Sequence, residues 1–291
     1  MVSIDRNLCN SCGICVAICP RRILRLGEES VEVIDQALCM ACGHCKAVCP
    51  KDAPGFTVGN EDFEPLSPKE KILSPSDFLH FIRRRRSIRQ YQEKSVDKEK
   101  LAMIVQAGRY SPTGGNRQAC EFTVISGRKT LDEVCTLSIR QLLSEARVIR
   151  EAFDRHERFK EPVPEEYFSK KVLPAVWERI GRAWEDGQDQ LLYHAPSLIL
   201  IHVNEGSATT GIIDAGIASM NMLHMAETLG LGTCYIAFLV WAVQGSKALG
   251  TFLQLPVCNR LHVAFAVGYP KVKYFRLVAR QPAKLTCLGE S

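Results

Sequence analysis

The chain has 291 residues, of which 46% are hydrophobic and 24% charged, a globular composition that excludes a disordered or fibrous protein. No apolar run reaches the roughly 18 residues of a membrane-spanning helix, and the N-terminus shows no secretory signal. The formal net charge of +5 counts every cysteine as neutral, so it establishes no nucleic-acid or membrane partner. Thirteen cysteines without an export signal favour metal ligation in a reducing compartment and predict a cytoplasmic protein.

Eight of the cysteines form two nearly identical runs at the beginning of the chain. The runs are Cys9-x2-Cys12-x2-Cys15-x3-Cys19-Pro20 and Cys39-x2-Cys42-x2-Cys45-x3-Cys49-Pro50. Three closely spaced thiolates can hold three irons of one cubane, while the fourth cysteine, followed by proline, ligates the other cluster. The spacing therefore predicts two [4Fe–4S] clusters, one held by Cys9, Cys12, Cys15 and Cys49 and the other by Cys39, Cys42, Cys45 and Cys19.

Structural zinc is the alternative interpretation of these cysteines. A zinc site uses four ligands in two pairs, whereas this chain has two runs of four, so the spacing favours iron. Residues 1–60 resemble a bacterial-type two-cluster ferredoxin. Residues 61–75 are rich in proline, serine and charge and predict a linker, which leaves residues 76–291 as a second, larger domain.

The second domain alternates helical and strand-like segments, which predicts an α+β fold. A helix is expected over Asp77–Arg86 with Ser76 as its N-cap, and another after Asp97, ending near Gly108. Residues 130–190 are mostly helical by pattern, and the aromatic side chains of residues 145–185 either pack on the core or form a lid. The remaining predicted elements are strands at Phe122–Ser126, Leu198–Val203, Thr233–Val240 and Val263–Val267, and a helix over Asp214–Leu229 that ends at Gly230.

Five arginines crowd into seven residues between Arg83 and Arg89, with Ser87 among them. Three interpretations compete for this run: a solvated basic face, a nucleic-acid patch, and a cradle for a phosphate. The third is chemically apt because guanidinium groups bind phosphate oxygens in bidentate fashion and a serine hydroxyl adds a further hydrogen bond.

The motif R-R-S-x-R-x-aromatic at Arg85–Tyr91 resembles the FMN-binding signature of the nitroreductase family. Further matches follow in the order of that family, at Ser111–Gln118, His194–Ile199, Leu229–Ile236 and Gly268–Pro270. The resemblance implies an FMN flavoprotein that forms an intertwined homodimer with its flavins at the interface. It implies FMN contacts from Arg85, Arg86, Ser87, Arg89, Arg280, Tyr235, Ile236 and Ala237, and contacts of Pro112, Thr113 and Asn116 with the flavin of the partner subunit.

The predicted function is that of a nitroreductase-like flavin oxidoreductase that receives electrons through the two clusters from a low-potential donor such as ferredoxin. It would reduce a small nitroaromatic, quinone, enone or halogenated acceptor by hydride transfer from flavin N5, so no side chain is expected to be catalytic. Thiolates around the clusters and the flavin phosphate offset the positive charge, so no nucleic-acid partner is expected. The alternative is an electron-transfer or redox-sensing flavoprotein whose acceptor is another protein.

Overall fold

A computed structural model of the chain describes residues 2–57, 63–66 and 73–289. The described residues divide into two compact units. The first contains residues 2–57 and 63–66 together with Thr113–Gln118, and the second contains Leu73–Pro112 and the chain from Ala119 onwards. Positions 61–62 and 67–72 of the predicted linker lie outside the described residues.

The first unit shows the sequence repeat as a repeat of structure. Each cysteine run leads into a short helix whose first turn follows a glycine of positive φ, at Gly13 (φ 72°) and Gly43 (φ 75°). Two antiparallel strand pairs, β1 with β4 and β2 with β3, accompany these helices. The elements are β1 (Val2–Ile4), α1 (Ile14–Ile18), β2 (Leu24–Leu26), β3 (Val31–Val33), α2 (His44–Ala47) and β4 (Pro54–Phe56).

The second unit is built on a four-stranded antiparallel sheet of strand order β5-β6-β8-β7. Its strands are β5 (Cys120–Ser126), β6 (Ser197–Asn204), β7 (Gly232–Tyr235) and β8 (Asn259–Gly268). Its helices are α3 (Pro75–Arg84), α4 (Lys98–Arg109), α5 (Arg128–Phe159), α6 (Glu165–Phe168), α7 (Leu173–Glu185), α8 (Gly211–Thr228), α9 (Ala237–Gly245) and α10 (Lys247–Phe252).

Both faces of the sheet are covered, and strand β6 shows how. Leu198 and Leu200 point into a core formed with α5, α7 and α9, whereas Ile199, Ile201 and Val203 point into a second core formed with α4 and α8. Alternate residues of a strand face opposite sides, so a strand buried on both faces is apolar throughout. The predicted α+β class is thereby confirmed.

Two local predictions differ from the structure. The strand predicted over Thr233–Val240 is wrong after Tyr235, because Ala237 begins helix α9. The segment is apolar on all sides, and periodicity cannot distinguish a fully buried helix from a buried strand. Helix α3 is capped by Ser74 instead of Ser76, and the Ser74 hydroxyl accepts a hydrogen bond from the amide of Asp77. Pro75 occupies the first turn of the helix, where its missing N–H costs nothing.

The chain after α3 lies along the free side of β7. The amide of Ile88 donates to the carbonyl of Thr233 at 2.9 Å, and the amide of Gln92 donates to that of Tyr269 at 2.9 Å. This approach requires a glycine in the sheet, since a Cβ at Gly232 would lie 2.4 Å from Cγ1 of Ile88. The packing therefore holds the arginine-rich segment at a fixed distance from β7.

Among the described residues, none of the helices combines the length and the apolar character needed to cross a membrane.

Candidate functional site

Four cysteines from both runs line one cavity in the first unit. They are Cys19 of the first run and Cys39, Cys42 and Cys45 of the second, accompanied by Pro20, Met40 and His44. This is the set that the sequence assigns to one cluster, including the cysteine contributed by the other run. The chemistry of these four sulfur donors around a shared space fits a [4Fe–4S] cluster.

Cysteines of the other predicted set also lie near one another. Burial raises the pKa of the Cys15 thiol, and the nearby Cys49 and Cys9 raise it further. The amide of Val31 donates to Sγ of Cys9 at 3.5 Å, the kind of hydrogen bond that tunes a cluster thiolate. Cys12 is exposed, so the fourth member of the set lies at the surface of the unit.

The spacing of the cysteines favours a multinuclear cluster over a single zinc ion. In a tetrahedral zinc site, sulfurs about 2.3 Å from the metal converge on one point. Within the part of the chain that the structure describes, no group of three Cys, His, Asp or Glu side chains converges in this way. Burial raises the pKa of the Cys45 thiol to about 11, a penalty that bound cationic iron would offset. The number of clusters and their ligand sets stay predictions.

In the second unit, the thiol of Cys234 on β7 is influenced electrostatically by three side chains, those of Arg85, Ser87 and Arg89. Burial raises the pKa of the Cys234 thiol, while the charges of Arg89 and Arg85 and the hydroxyl of Ser87 act to lower it. The three residues alternate along a segment that pairs with β7 at Ser87 and Thr233. Two guanidinium groups and a hydroxyl that favour negative charge in one place fit a phosphate. We call these three side chains the phosphate cluster.

Tyr193, which no sequence motif indicates, lies beside Arg89 of the phosphate cluster. The guanidinium of Arg89 lies 5.8 Å from the centre of its ring. Tyr193 and His194 both have left-handed backbone, with φ of 59° and 52°. The buried carboxylate of Asp189 holds this loop by accepting the amides of Leu191, Leu192 and His194 at 2.7–2.9 Å. Only the loop conformation reveals the role of Tyr193.

Arg86 points away from its neighbours in the phosphate cluster. Its Nη1 donates to the carbonyls of Arg83, Arg84 and Arg85 at 2.6–3.1 Å, and its Nη2 donates to that of Arg276 at 2.9 Å. These bonds satisfy carbonyls at the end of α3. Arg280 is exposed, and its Nη1 donates to the carbonyl of Ala279. The structure does not bring Arg86 or Arg280 to the phosphate cluster, and their FMN contacts stay predictions.

The three residues expected at the partner's flavin are divided between the two units. Pro112 ends a segment of the second unit, while Thr113 and Asn116 belong to the first. Within the first unit, Nδ2 of Asn116 donates to the carbonyls of Met40 and Ala41 at 3.0 Å. Thr113 accepts the amide of Gln118 at 3.0 Å. Their contact with flavin stays a prediction.

The three residues expected beside the flavin ring lie where β7 passes into α9. The Tyr235 hydroxyl is 2.6 Å from that of Ser219, and the amide of Ile236 donates to the carbonyl of Ala264 at 2.8 Å. Ala237 is exposed at the first turn of α9 and lines a cavity of about 530 Å³. In the region of residues 145–185, Trp177 is fully buried and packs against Phe238 and Trp241, while the lid stays a prediction.

Comparison with known proteins identifies the relatives of this architecture. The sequence model described as "Nitroreductase family" matches residues 82–269, and the "4Fe-4S dicluster domain" matches residues 8–53. Iodotyrosine deiodinase of Daphnia pulex is 24% identical over 223 residues, which cover 72% of this chain. The chain spans 64% of the length of that relative, less than two thirds.

Two solved structures share the fold. A nitroreductase with bound FMN from Desulfitobacterium hafniense DCB-2 superimposes with a TM-score of 0.54 at 19% identity, over 72% of this chain and 97% of its own. A nitroreductase with bound FMN from Bacteroides fragilis NCTC 9343 gives a TM-score of 0.51 at 21% identity, over 73% and 99%. With the family model covering well over half of the sequence, the chain belongs to the nitroreductase family and carries a 4Fe–4S dicluster domain at its N-terminal end.

Proposed function

We propose that the protein is an FMN-dependent oxidoreductase that receives electrons through two [4Fe–4S] clusters and reduces a small organic acceptor. The alternation of Arg85, Ser87 and Arg89 along the segment that pairs with β7 carries the proposal. When bound, FMN supplies a two-electron carrier that can pass hydride to an acceptor. Membership of the nitroreductase family and the FMN-bound structures of similar fold support the choice of this cofactor.

The phosphate cluster does the binding. Arg85 and Arg89 would hold the phosphate oxygens with charge-assisted hydrogen bonds, and Ser87 would add its hydroxyl. Tyr193 restricts the guanidinium of Arg89 before any ligand arrives, which reduces the side-chain entropy lost on binding. At the other end of β7, Tyr235, Ile236 and Ala237 would border the flavin ring.

The dicluster domain supplies the electrons. A ferredoxin-type cluster can have a reduction potential as low as about −400 mV, so transfer to a flavin can be favourable. One chain carries both units, so the clusters are at high effective concentration for a flavin bound to the same chain or its partner. We expect a low-potential donor such as reduced ferredoxin, in the reducing cytoplasm where cysteines stay available for iron.

A homodimer completes the proposal. Helix α8 exposes Ile212, Ile213 and Ile217 on one side, an apolar surface that a second copy of the chain would cover. The dimer would also bring Pro112, Thr113 and Asn116 to the partner's flavin. Light scattering of the purified full chain should give twice the chain mass.

The acceptor is proposed to be a conjugated organic molecule of the nitroaromatic, quinone or enone type. A halogenated aromatic is a further candidate, since one relative is named a deiodinase. The experiment is anaerobic purification, identification of the extracted flavin, and turnover of each acceptor with reduced ferredoxin as donor. Turnover should require the clusters, so Cys42→Ser should lose ferredoxin-driven activity while the exposed control Cys258→Ser keeps it. A protein that binds no FMN would refute the proposal.

A further inference from the structure

A β-bulge in strand β8 turns His262 out of the regular ladder. Ile201 pairs with Val263, but the next residue, His202, pairs with Leu261, so His262 is the extra residue. A bulge leaves one residue unpaired and re-aims its side chain, and bulges are over-represented beside active sites. The sequence gives no sign of this irregularity.

The re-aimed imidazole is paired with a carboxylate. Nε2 of His262 contacts Oε1 of Glu205, at the loop that follows β6. The side chain of His262 is 6% exposed and that of Glu205 is 51% exposed. One partner is therefore held rigidly by the sheet while the other is open to solvent, so a proton between them can be exchanged with water.

This His262–Glu205 pair lines the cavity that Ala237 also lines. At about 530 Å³, the cavity is in the range that accommodates small molecules. Trp241, Val240 and Ile212 give it an apolar side, and Arg260, Gln244 and Thr210 give it a polar side. Such a mixture suits a flat conjugated ring that carries an oxygen atom.

Glu205 depends on a small residue for its position. A Cβ at Gly211, the first residue of α8, would lie 2.9 Å from Oε1 of Glu205. The bulge thus orients the side chain of His262, and the absence of a side chain at Gly211 leaves room for the carboxylate of Glu205.

We infer that the His262–Glu205 pair is the proton donor for a conjugated carbonyl acceptor, a quinone or an enone, bound in this cavity. The inference rests on the proposed function, which places the flavin ring beside Ala237. A reduced flavin would supply the hydride and be oxidised by two electrons, while the hydride forms a new bond with the acceptor and a π-electron pair moves onto the carbonyl oxygen. The oxyanion then takes the proton held between His262 and Glu205, an O–H bond forms, and the pair regains a proton from water at Glu205.

The activity test compares two acceptors in the full-length holoprotein. A quinone requires a proton, whereas ferricyanide accepts electrons without one. In His262→Gln, the ratio of the quinone rate to the ferricyanide rate should fall about 100-fold, within the usual contribution of general acid catalysis. His80→Gln, on the exposed surface of α3, is the matched control and should leave the ratio unchanged. An unchanged ratio in His262→Gln overturns the inference.

A binding test does not depend on turnover. Calorimetric titration of the full chain with a phenol, which resembles the protonated product, should show binding weakened about tenfold or more in His262→Gln, because the hydrogen bond from the phenol to the His262–Glu205 pair is lost. Equal phenol affinity in His262→Gln and wild type overturns the inference as well. Gly211→Ala, which displaces Glu205 without replacing either partner, provides both readouts should His262→Gln fail to fold. If neither acceptor turned over with wild-type protein, the proposed function would fail, and phenol binding would decide on the cavity by itself.

Discussion

The guanidinium of Arg89 lies over the ring of Tyr193, 5.8 Å from its centre, within the range of a cation–π interaction. The two residues come from segments about a hundred positions apart in the sequence. Because the carboxylate of Asp189 determines the loop that carries Tyr193, the position of Arg89 depends on a buried acid that touches neither guanidinium nor phosphate.

Asp189→Asn should destabilise the protein and weaken FMN binding together. An amide has one acceptor oxygen and presents an NH2 group to backbone amides, so buried hydrogen bonds are lost, at a cost of about 1–3 kcal/mol in the free energy of unfolding. Urea unfolding and FMN titration would measure the two effects. Tyr193→Ala is the control, since it leaves the hydrogen bonds of Asp189 in place but removes the ring beside Arg89, and it should weaken FMN binding without a comparable loss of stability. Wild-type FMN affinity in Asp189→Asn would contradict this dependence.

The arginines of the run should have two different functions, FMN binding and stabilisation of the fold. Arg85→Ala and Arg89→Ala should each lower FMN affinity about 10- to 150-fold, because each removes a charge-assisted hydrogen bond worth about 1.5–3 kcal/mol. Arg86→Ala should leave affinity within about threefold and instead lower the free energy of unfolding by about 1 kcal/mol through loss of its carbonyl bonds. Fluorescence titration of FMN and thermal unfolding would separate the variants. Equal affinity losses in all three would show that Arg86 also binds the phosphate.

Cys19→Ala should damage the cluster predicted at Cys39, Cys42 and Cys45, although Cys19 lies in the first run. The shared cavity is the structural reason. Electron paramagnetic resonance should show one altered cluster signal and one unchanged, and iron content should fall by up to about half. Cys258→Ala, at an exposed cysteine outside both runs, serves as the control. If the signal of the cluster held by Cys9, Cys12 and Cys15 were lost instead, cross-ligation would be refuted.

His202 should make stability depend on pH. Burial lowers the pKa of His202 below its ordinary value of 6.5, and the neutral ring bonds to Thr123 at 3.0 Å and to Asn259 at 2.8 Å. The unfolded chain then binds the proton more readily, so this contribution is complete above about pH 6.5 and is lost as the pH falls below it. Urea unfolding from about pH 7.5 to about pH 5.5 should show wild type losing its advantage over His202→Gln. His224, whose pKa is also lowered by burial, is present in both proteins. A difference independent of pH would contradict the assignment.

The sequence predicts the features of the fold and of the site that depend on local residue spacing. The duplicated cysteine runs, the helix after Asp97 and the apolar strand β6 were all identified, because each is written in consecutive residues. Three features cannot be predicted in this way: the side on which Arg86 lies, the loop of Tyr193 and the bulge at His262. Each of them depends on which distant segment lies beside it. The apolar segment after Tyr235 was misassigned for the same reason: its helix is stabilised by burial on several sides, which composition does not specify.

The close packing of Ile88 against Gly232 constrains what protein engineering can do at the edge of the sheet. Strand β7 by itself would tolerate a larger residue at position 232, and many substitutions there would favour strand formation. Any side chain would nevertheless push Ile88 outward, and Ser87 and Arg89 on either side would move with it. Variants selected at this position for heat resistance should therefore emerge folded but colourless, having lost the yellow of a bound flavin.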